Sequence, residues 1–240
     1  MLKKKPLVFV AAPSYGSVEM ESAIALLQTG GNTRSLVSAR KASLLAMNFN
    51  TLWCQALNSR HLGFDYFCMI HSDIYPMVNG WVDALVSEIQ TVGADVLSVI
   101  VPLKDDRGLT SCGWLDRKGH VQRFTMAEVF AFPETFSAKS LGVKDRTLVM
   151  NTGLWICRWD QEWIEKVHFE IRDNIVRDNE GKFKAVVLPE DWNFSQQCAN
   201  MGVEIALTRK IPVKHIGRFE YLNTHIWGTA TTDGGDSQEG

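Results

Sequence analysis

Apolar residues in this chain fall into short continuous runs bounded by turn residues, and between the runs they recur at helical spacing. Leu7 to Ala12 reads as a first buried strand, followed by the loop signals Pro13 and Gly16. Glu19 to Gln28 reads as a helix stopped by Gly30 and Gly31, and Thr33 to Val37 as a short second strand. From Lys41 to Leu57 the residues Leu45, Phe49, Leu52, Trp53, Ala56 and Leu57 share one helical face. Phe64 to Ile70 is again a strand, Val82 to Ile89 a helix, and Ala94 to Val101 another strand. Parallel strands covered on both faces read as such unbroken apolar runs. Their alternation with helices predicts an α/β fold with a mainly parallel central sheet and helices on both faces.

After Pro102 the rhythm changes. A hairpin is expected around Arg117-Lys118-Gly119, and the stretch from Phe130 to Asp145 reads as loop. Thr147 to Trp159 reads as a strand with a turn at Asn151-Thr152-Gly153. Asp160 is expected to cap a short helix through Val167, and Arg172 to Lys184 reads as a charged, mobile surface segment. Asp191 to Met201 reads as a helix ended by Gly202, followed by a last strand and loop through Gly217. The expected organisation is one domain over 1–225, with halves at about 1–103 and 104–225, and a disordered tail over 226–240 that has almost no apolar content. No internal repeat is present.

Composition narrows the class. The chain has 240 residues, 45% hydrophobic and 22% charged, as in an ordinary globular domain. A formal net charge of -2 gives no global basic field for nucleic acid. The five cysteines (Cys54, Cys68, Cys112, Cys157 and Cys198) include no C-x-x-C pair, which argues against a zinc ribbon or a disulfide framework and for a reducing, cytoplasmic setting. The start, MLKKKPLVFVAAP, has the ingredients of a signal peptide, but Pro6 opens its short apolar run, and a first buried strand is the preferred reading. No run approaches the roughly 20 apolar residues that span a bilayer.

Candidate chemistry gathers at strand ends. His71, Ser72 and Asp73 follow the apolar run of FDYFCMI, and ligands of open α/β sheets bind outside the carboxyl ends of strands. Ser-Asp also suits a plain turn. Pro13 to Gly16 ends a neighbouring strand. Glu190 and Asp191 stand just before a helix, where a cap and a general base are both open readings. His215 follows an apolar strand and could complete a metal site with Asp73. Oxygen ligands with an imidazole suit Mn²⁺ and admit Mg²⁺, and an open site of this kind leaves positions for a diphosphate.

At these residues the chain resembles the GT-A fold glycosyltransferases, the family-2-like nucleotide-sugar transferases. The resemblance runs through VFVAAPSYG, SARKASLLAMNFN, FDYFCMIHSDIYP, MNTGLWICRW, PEDWNFSQQCANMG and VKHIG. It implies a Rossmann-like GT-A domain that binds a UDP-hexose or similar donor in its first half, an acceptor in its second, and Mn²⁺ or Mg²⁺ on the diphosphate. The HSD triplet stands at the family's D-x-D motif, with His71 in place of the first acid, so Asp73 matches the metal-contacting residue and His215 matches a late histidine ligand. Pro13 and Tyr15 would border base and ribose, Arg40 the uracil or sugar, and Asn151 and Gly153 the donor sugar; His71 and Ser72 would flank the donor. Glu190 and Asp191 match the family's acidic pair, with Asp191 as base.

The acceptor implied is a saccharide first. A hydroxymethylated DNA base is the alternative, should Lys3 to Lys5, Arg34, Arg40, Lys41, Arg209, Lys210, Lys214 and Arg218 form one basic stripe. Trp114, Phe130, Phe132, Phe136 and Trp192 are the aromatic candidates for an acceptor cleft. A nucleotidyltransferase and a non-catalytic nucleotide- or carbohydrate-binding module are the competing readings; for the former, no Gly-rich basic signature follows the first strand.

Overall fold

The computed structural model describes residues 4–117, 119–177, 180–217 and 219–230. The first half alternates as expected: β1 (Leu7–Ser14), α1 (Met20–Leu27), β2 (Arg34–Lys41), α2 (Leu45–Asn58), β3 (Tyr66–Ile70), the short β4 (Ile74–Pro76), α3 (Trp81–Val92) and β5 (Val96–Val99). The second half adds β6 (Leu109–Leu115), β7 (Val121–Thr125), α4 (Met126–Ala131), β8 (Thr135–Ser137), β9 (Thr147–Val149), β10 (Leu154–Arg158), β11 (Arg172–Arg177) and β12 (Phe183–Leu188). It closes with α5 (Glu190–Asn200), β13 (Ile205–Thr208), β14 (Val213–Ile216) and β15 (Glu220–Leu222).

The central sheet has seven strands in the order β2-β1-β3-β10-β5-β13-β8. It is mixed: β1 runs parallel to β2 and β3, and β13 to β5, but β10 is antiparallel between β3 and β5, and β8 is antiparallel at the edge. The expectation of a mainly parallel sheet is therefore corrected by β10. The single apolar run that looked like one strand breaks at Asn151-Thr152-Gly153, leaving β9 in a second sheet (β7-β6-β9) and β10 in the core. Periodicity cannot show which way a buried strand runs.

Alternate residues of β1 enter opposite cores. Phe9 and Ala11 join a cluster with Phe49, Leu52 and Trp53 of α2 and Phe194 of α5, while Val8 and Val10 join Trp81, Leu85 and Ile89 of α3. Helices thus cover both faces, the Rossmann-like α/β layering. In the first cluster Trp53 packs edge-on against Phe67 at 4.7 Å and Trp159 at 4.8 Å, and its indole donates to Ile164 O at 2.9 Å. Replacing Trp53 by Ala should cost about 3–5 kcal/mol, the usual toll of a large aromatic cavity. A urea unfolding midpoint unchanged from the parent would contradict this central role.

Other differences are local. β1 extends through Pro13, whose missing N–H costs nothing because β3 pairs only as far as Ala11. Lys41 ends β2 rather than opening a helix. The stretch read as loop after Phe130 contains the end of α4 and the edge strand β8, and Thr125 and Glu128 form a reciprocal capping box on α4. Glu162–Glu165 is one 3₁₀ turn with Gln161, not Asp160, at its start. The segment read as mobile forms the β11–β12 hairpin, which pairs with itself in an exposed ribbon. Residues 226–230, expected to begin a structureless tail, instead pack back on the domain: Ala230 N donates to Arg107 O at 3.1 Å. The rest of that tail, Lys3 and Arg218 lie outside the described residues.

Candidate functional site

Parallel pairing of β1 with β2 and β3 brings their carboxyl ends to one rim. Asn48, buried on α2, holds that rim: its amide donates to Ser14 O at 3.2 Å and to Arg40 O at 3.1 Å. On the other side Ser22 of α1 donates to Ile74 O at 2.9 Å, and Glu19 N donates to Ser72 O at 3.2 Å. Between them opens a cavity of about 310 Å³ whose walls include Ser14, Arg40, Lys41, His71 and Ser72. Arg40, His71 and Ser72 were expected there. Pro13 is buried beside the lining residues, and Tyr15 stands 72% exposed at the rim.

His71 and Asp73 lie side by side at the end of β3. The His71 ring rests against Phe49, centroids 5.0 Å apart, and its main-chain N donates to Gly153 O at 2.8 Å. Burial lowers the His71 imidazole to about 4, so it is neutral at neutral pH. Burial alone would raise the Asp73 carboxyl, but hydrogen bonds from His215 and Lys104 outweigh it and hold the group well below the usual carboxylate range. Lys104 donates to Asp73 Oδ2, and His215 Nε2 lies 3.6 Å from the same oxygen. β14 carries His215 to Asp73 through its antiparallel pairing with β4, and Ile216 N donates to Asp73 O at 2.8 Å.

The other ring nitrogen of His215 lies 2.7 Å from Pro102 O. A carbonyl only accepts, so Nδ1–H donates to it and Nε2 is the ring nitrogen that faces Asp73. Three polar atoms at or beside the cavity are buried without a hydrogen-bond partner: Arg40 Nε, His71 Nε2 and Asp73 Oδ1. Buried polar atoms in native proteins are almost always satisfied, so such a cluster marks a place for a ligand. Among the described residues no three His, Cys, Asp or Glu side chains form a set that could hold a metal by themselves. Asp73 and His215 fit only an open site completed by ligand oxygens.

The Asn151-Thr152-Gly153 turn joins this cluster to the acidic pair. Asn151 Oδ1 accepts from Gly153 N at 2.6 Å, and Gly153 O accepts from His71 N. A Cβ at Gly153 would fall 2.6 Å from Asn151 Oδ1 and 3.4 Å from Ile74, so the close approach needs glycine. Beyond the turn, the buried Cys112 thiol is raised by its burial and by the nearby Asp191 charge, while the Asn151 backbone hydrogen-bonds it.

Pro189 caps α5, so neither acid is the N-cap. Both carboxyls are buried, and burial holds each above its ordinary range; for Asp191 repulsion from Glu190 adds, opposed by Trp192 N–H and Arg123. Arg123 also lies over the Trp192 ring at 4.8 Å.

Two candidate readings do not hold. Trp114, Phe136 and Trp192 are buried and Phe130 and Phe132 pack on the core, so these aromatics hold the fold together. Among the described residues the basic side chains form no free stripe: Lys210 pairs with Glu88 at 3.0 Å, Lys214 with Glu220 at 3.0 Å and Arg209 with Glu134 at 3.5 Å, while Arg40 and Lys41 face the cavity. Lys104, Asn48 and Arg123 went unread, since isolated polar residues carry no spacing signal.

No protein-family model matches the chain, and no curated protein does. Among solved structures it is similar to the crystal structure of A197 from STIV, with a TM-score of 0.54 and 16% identity over 94% of this chain and 95% of that one. It is also similar to CMP:2-keto-3-deoxy-manno-octonic acid synthetase complexed with CTP, at a TM-score of 0.36 and 9% identity over 84% and 88% of the two chains. The likeness to A197 extends to the fold, and the more distant one carries nothing further.

Proposed function

We propose that this protein is a GT-A type glycosyltransferase that moves a sugar, a hexose in the simplest case, from a nucleoside diphosphate donor to an acceptor hydroxyl. One observation carries the reading: Arg40 and His71, with Nε and Nε2 unpartnered, line a cavity at the carboxyl ends of β1, β2 and β3, and the unpartnered Asp73 Oδ1 follows directly on its wall residue Ser72. A nucleoside diphosphate matches that demand, with acceptor oxygens for Arg40 and Lys41 and negative charge to meet Lys104. A divalent cation, Mn²⁺ or Mg²⁺, would be held by Asp73 and His215 with diphosphate oxygens, and when bound it would neutralise charge on the leaving diphosphate.

In this reading Asp191 takes the proton from the acceptor hydroxyl as that oxygen bonds to the anomeric carbon. The bond from that carbon to the diphosphate oxygen breaks, and Lys104 helps to meet the charge that appears there. Asn151 and Gly153 border the donor sugar between the two groups.

The test is calorimetry with UDP, followed by assay of sugar release from UDP-glucose to water. The parent should bind UDP, and Arg40→Ala should weaken binding about tenfold, the loss of a charge-assisted hydrogen bond. Binding without any donor hydrolysis would favour a non-catalytic nucleotide-binding module, and no nucleotide binding at all would end the proposal.

A further inference from the structure

A second cavity, about 530 Å³, opens on the small sheet β15-β14-β4 beside the Asp73 cluster. Its walls include Asp105, Asp106, Phe219, Tyr221, His225 and Trp227. Two chain connections set it against the first site. Asp105 directly follows Lys104, and Tyr221 pairs across the strands with His215. Directly paired residues on neighbouring strands carry their side chains on the same face.

The hollow is built rather than incidental. Asn223, fully buried, donates to Ile100 O at 3.0 Å and Ile211 O at 3.2 Å and accepts from Val213 N at 2.9 Å, so the segment after β15 is pinned to the body. Trp227 donates from its indole to Leu222 O at 2.8 Å, which fixes the ring, and lies 5.5 Å from the Tyr221 ring at a 37° tilt. The backbone of Trp227 and Gly228 lies directly on Gly108: a Cβ there, at φ +73, would come within 1.9 Å of Trp227 O. Phe219 presents a 66% exposed ring at the edge.

We propose that this hollow is the acceptor subsite and that it holds the ring of a neutral saccharide. The inference rests on the donor reading given above for its place in the reaction. Aromatic faces offer an apolar surface for the C–H face of a sugar ring, and the Asp105 and Asp106 carboxylates accept hydrogen bonds from its hydroxyls. Among the described residues no lysine or arginine lines the hollow, and the cations at its edge are engaged, Arg107 with Asp105 and Lys214 with Glu220, so the wall offers a polyanion no basic surface and the chemistry favours a neutral glycan over DNA. A sugar seated there would extend toward Lys104 and His215, where the donor diphosphate is expected. The buried aromatics Trp114 and Trp192 have no part in it.

Two titrations of the full chain by heteronuclear NMR test this, one with maltose, cellobiose and lactose in the absence of nucleotide, the other with UDP. At least one disaccharide should shift signals of residues 219–227. Its affinity should fall at least tenfold in Trp227→Ala and in the exposed-site variant Phe219→Ala, with UDP affinity unchanged in both. The second variant guards against a folding defect in the first. UDP binding together with disaccharide binding that both variants retain, or with none at all, would overturn the subsite. Disaccharide binding that depends on Trp227 while UDP fails to bind would instead sink the donor reading and leave the hollow a saccharide site. Binding of a short DNA duplex at residues 219–227 would also overturn the proposal.

Discussion

Asp191→Asn should lower transfer by about 10²–10⁴-fold while leaving UDP affinity near the parent value, the loss expected when a general base is removed. The exchange preserves shape: an amide oxygen can still accept from Trp192 N–H, which reaches Asp191 Oδ1 at 2.8 Å. What vanishes is the ability to take a proton. The stability of the variant provides an independent check. Burial and Glu190 hold the Asp191 carboxyl above its ordinary range in the folded chain, so the folded state keeps protons that the unfolded state has released. Stability is then greatest in acid and declines as pH rises through the elevated folded value. Asn does not ionise, so Asp191→Asn should match the parent in acid and melt higher at neutral pH. Thermal unfolding at pH 4 and pH 8 with parallel turnover assays would show both effects. A variant that melts lower at pH 8 yet turns over normally would assign Asp191 to the fold alone.

Asp73→Ala should weaken UDP binding by about ten- to a hundredfold, the ~1.5–3 kcal/mol of a hydrogen bond to a charged group. The variant leaves Lys104 and His215 without the carboxylate they share. It also removes the unpartnered Oδ1 that the reading gives to a divalent cation. Calorimetry with UDP in excess Mn²⁺ and again in excess chelator separates these roles. The parent should lose affinity in chelator, and the variant should be weak in both. A parent indifferent to chelator would remove the cation and leave Lys104 to face the diphosphate. Full UDP affinity in Asp73→Ala would take Asp73 out of the donor site.

The acceptor shows how a plausible reading of composition can fail. Aromatic residues in the second half look alike in sequence whether they fill a core or face a ligand. Trp114 and Trp192 are buried, with Trp192 N–H spent on Ser111 O at 2.8 Å, whereas Trp227 lies in a stretch that reads as polar tail. Local composition around Trp227 predicts disorder, and its order comes from distant contacts: Gly228 against Arg107 and Asn223 against Ile100.

The sequence by itself determined the elements and the rim. Continuous apolar runs mark β1, β3 and β5 because strands covered on both faces have no polar side, and the apolar face of α2 follows from the 3.6-residue turn. It also placed His71, Ser72 and Asp73 at a strand end, because a polar group after a buried run must lie where the sheet stops. Only the tertiary structure decided the rest. The direction of β10, the ion pair of Lys104 with Asp73, the clamp of Asn48 on Ser14 and Arg40, and the half-buried Trp227 all depend on partners far away in the chain. Side-chain periodicity records which face a residue occupies, whereas partner and strand direction are set by long-range packing, which leaves no local pattern to read.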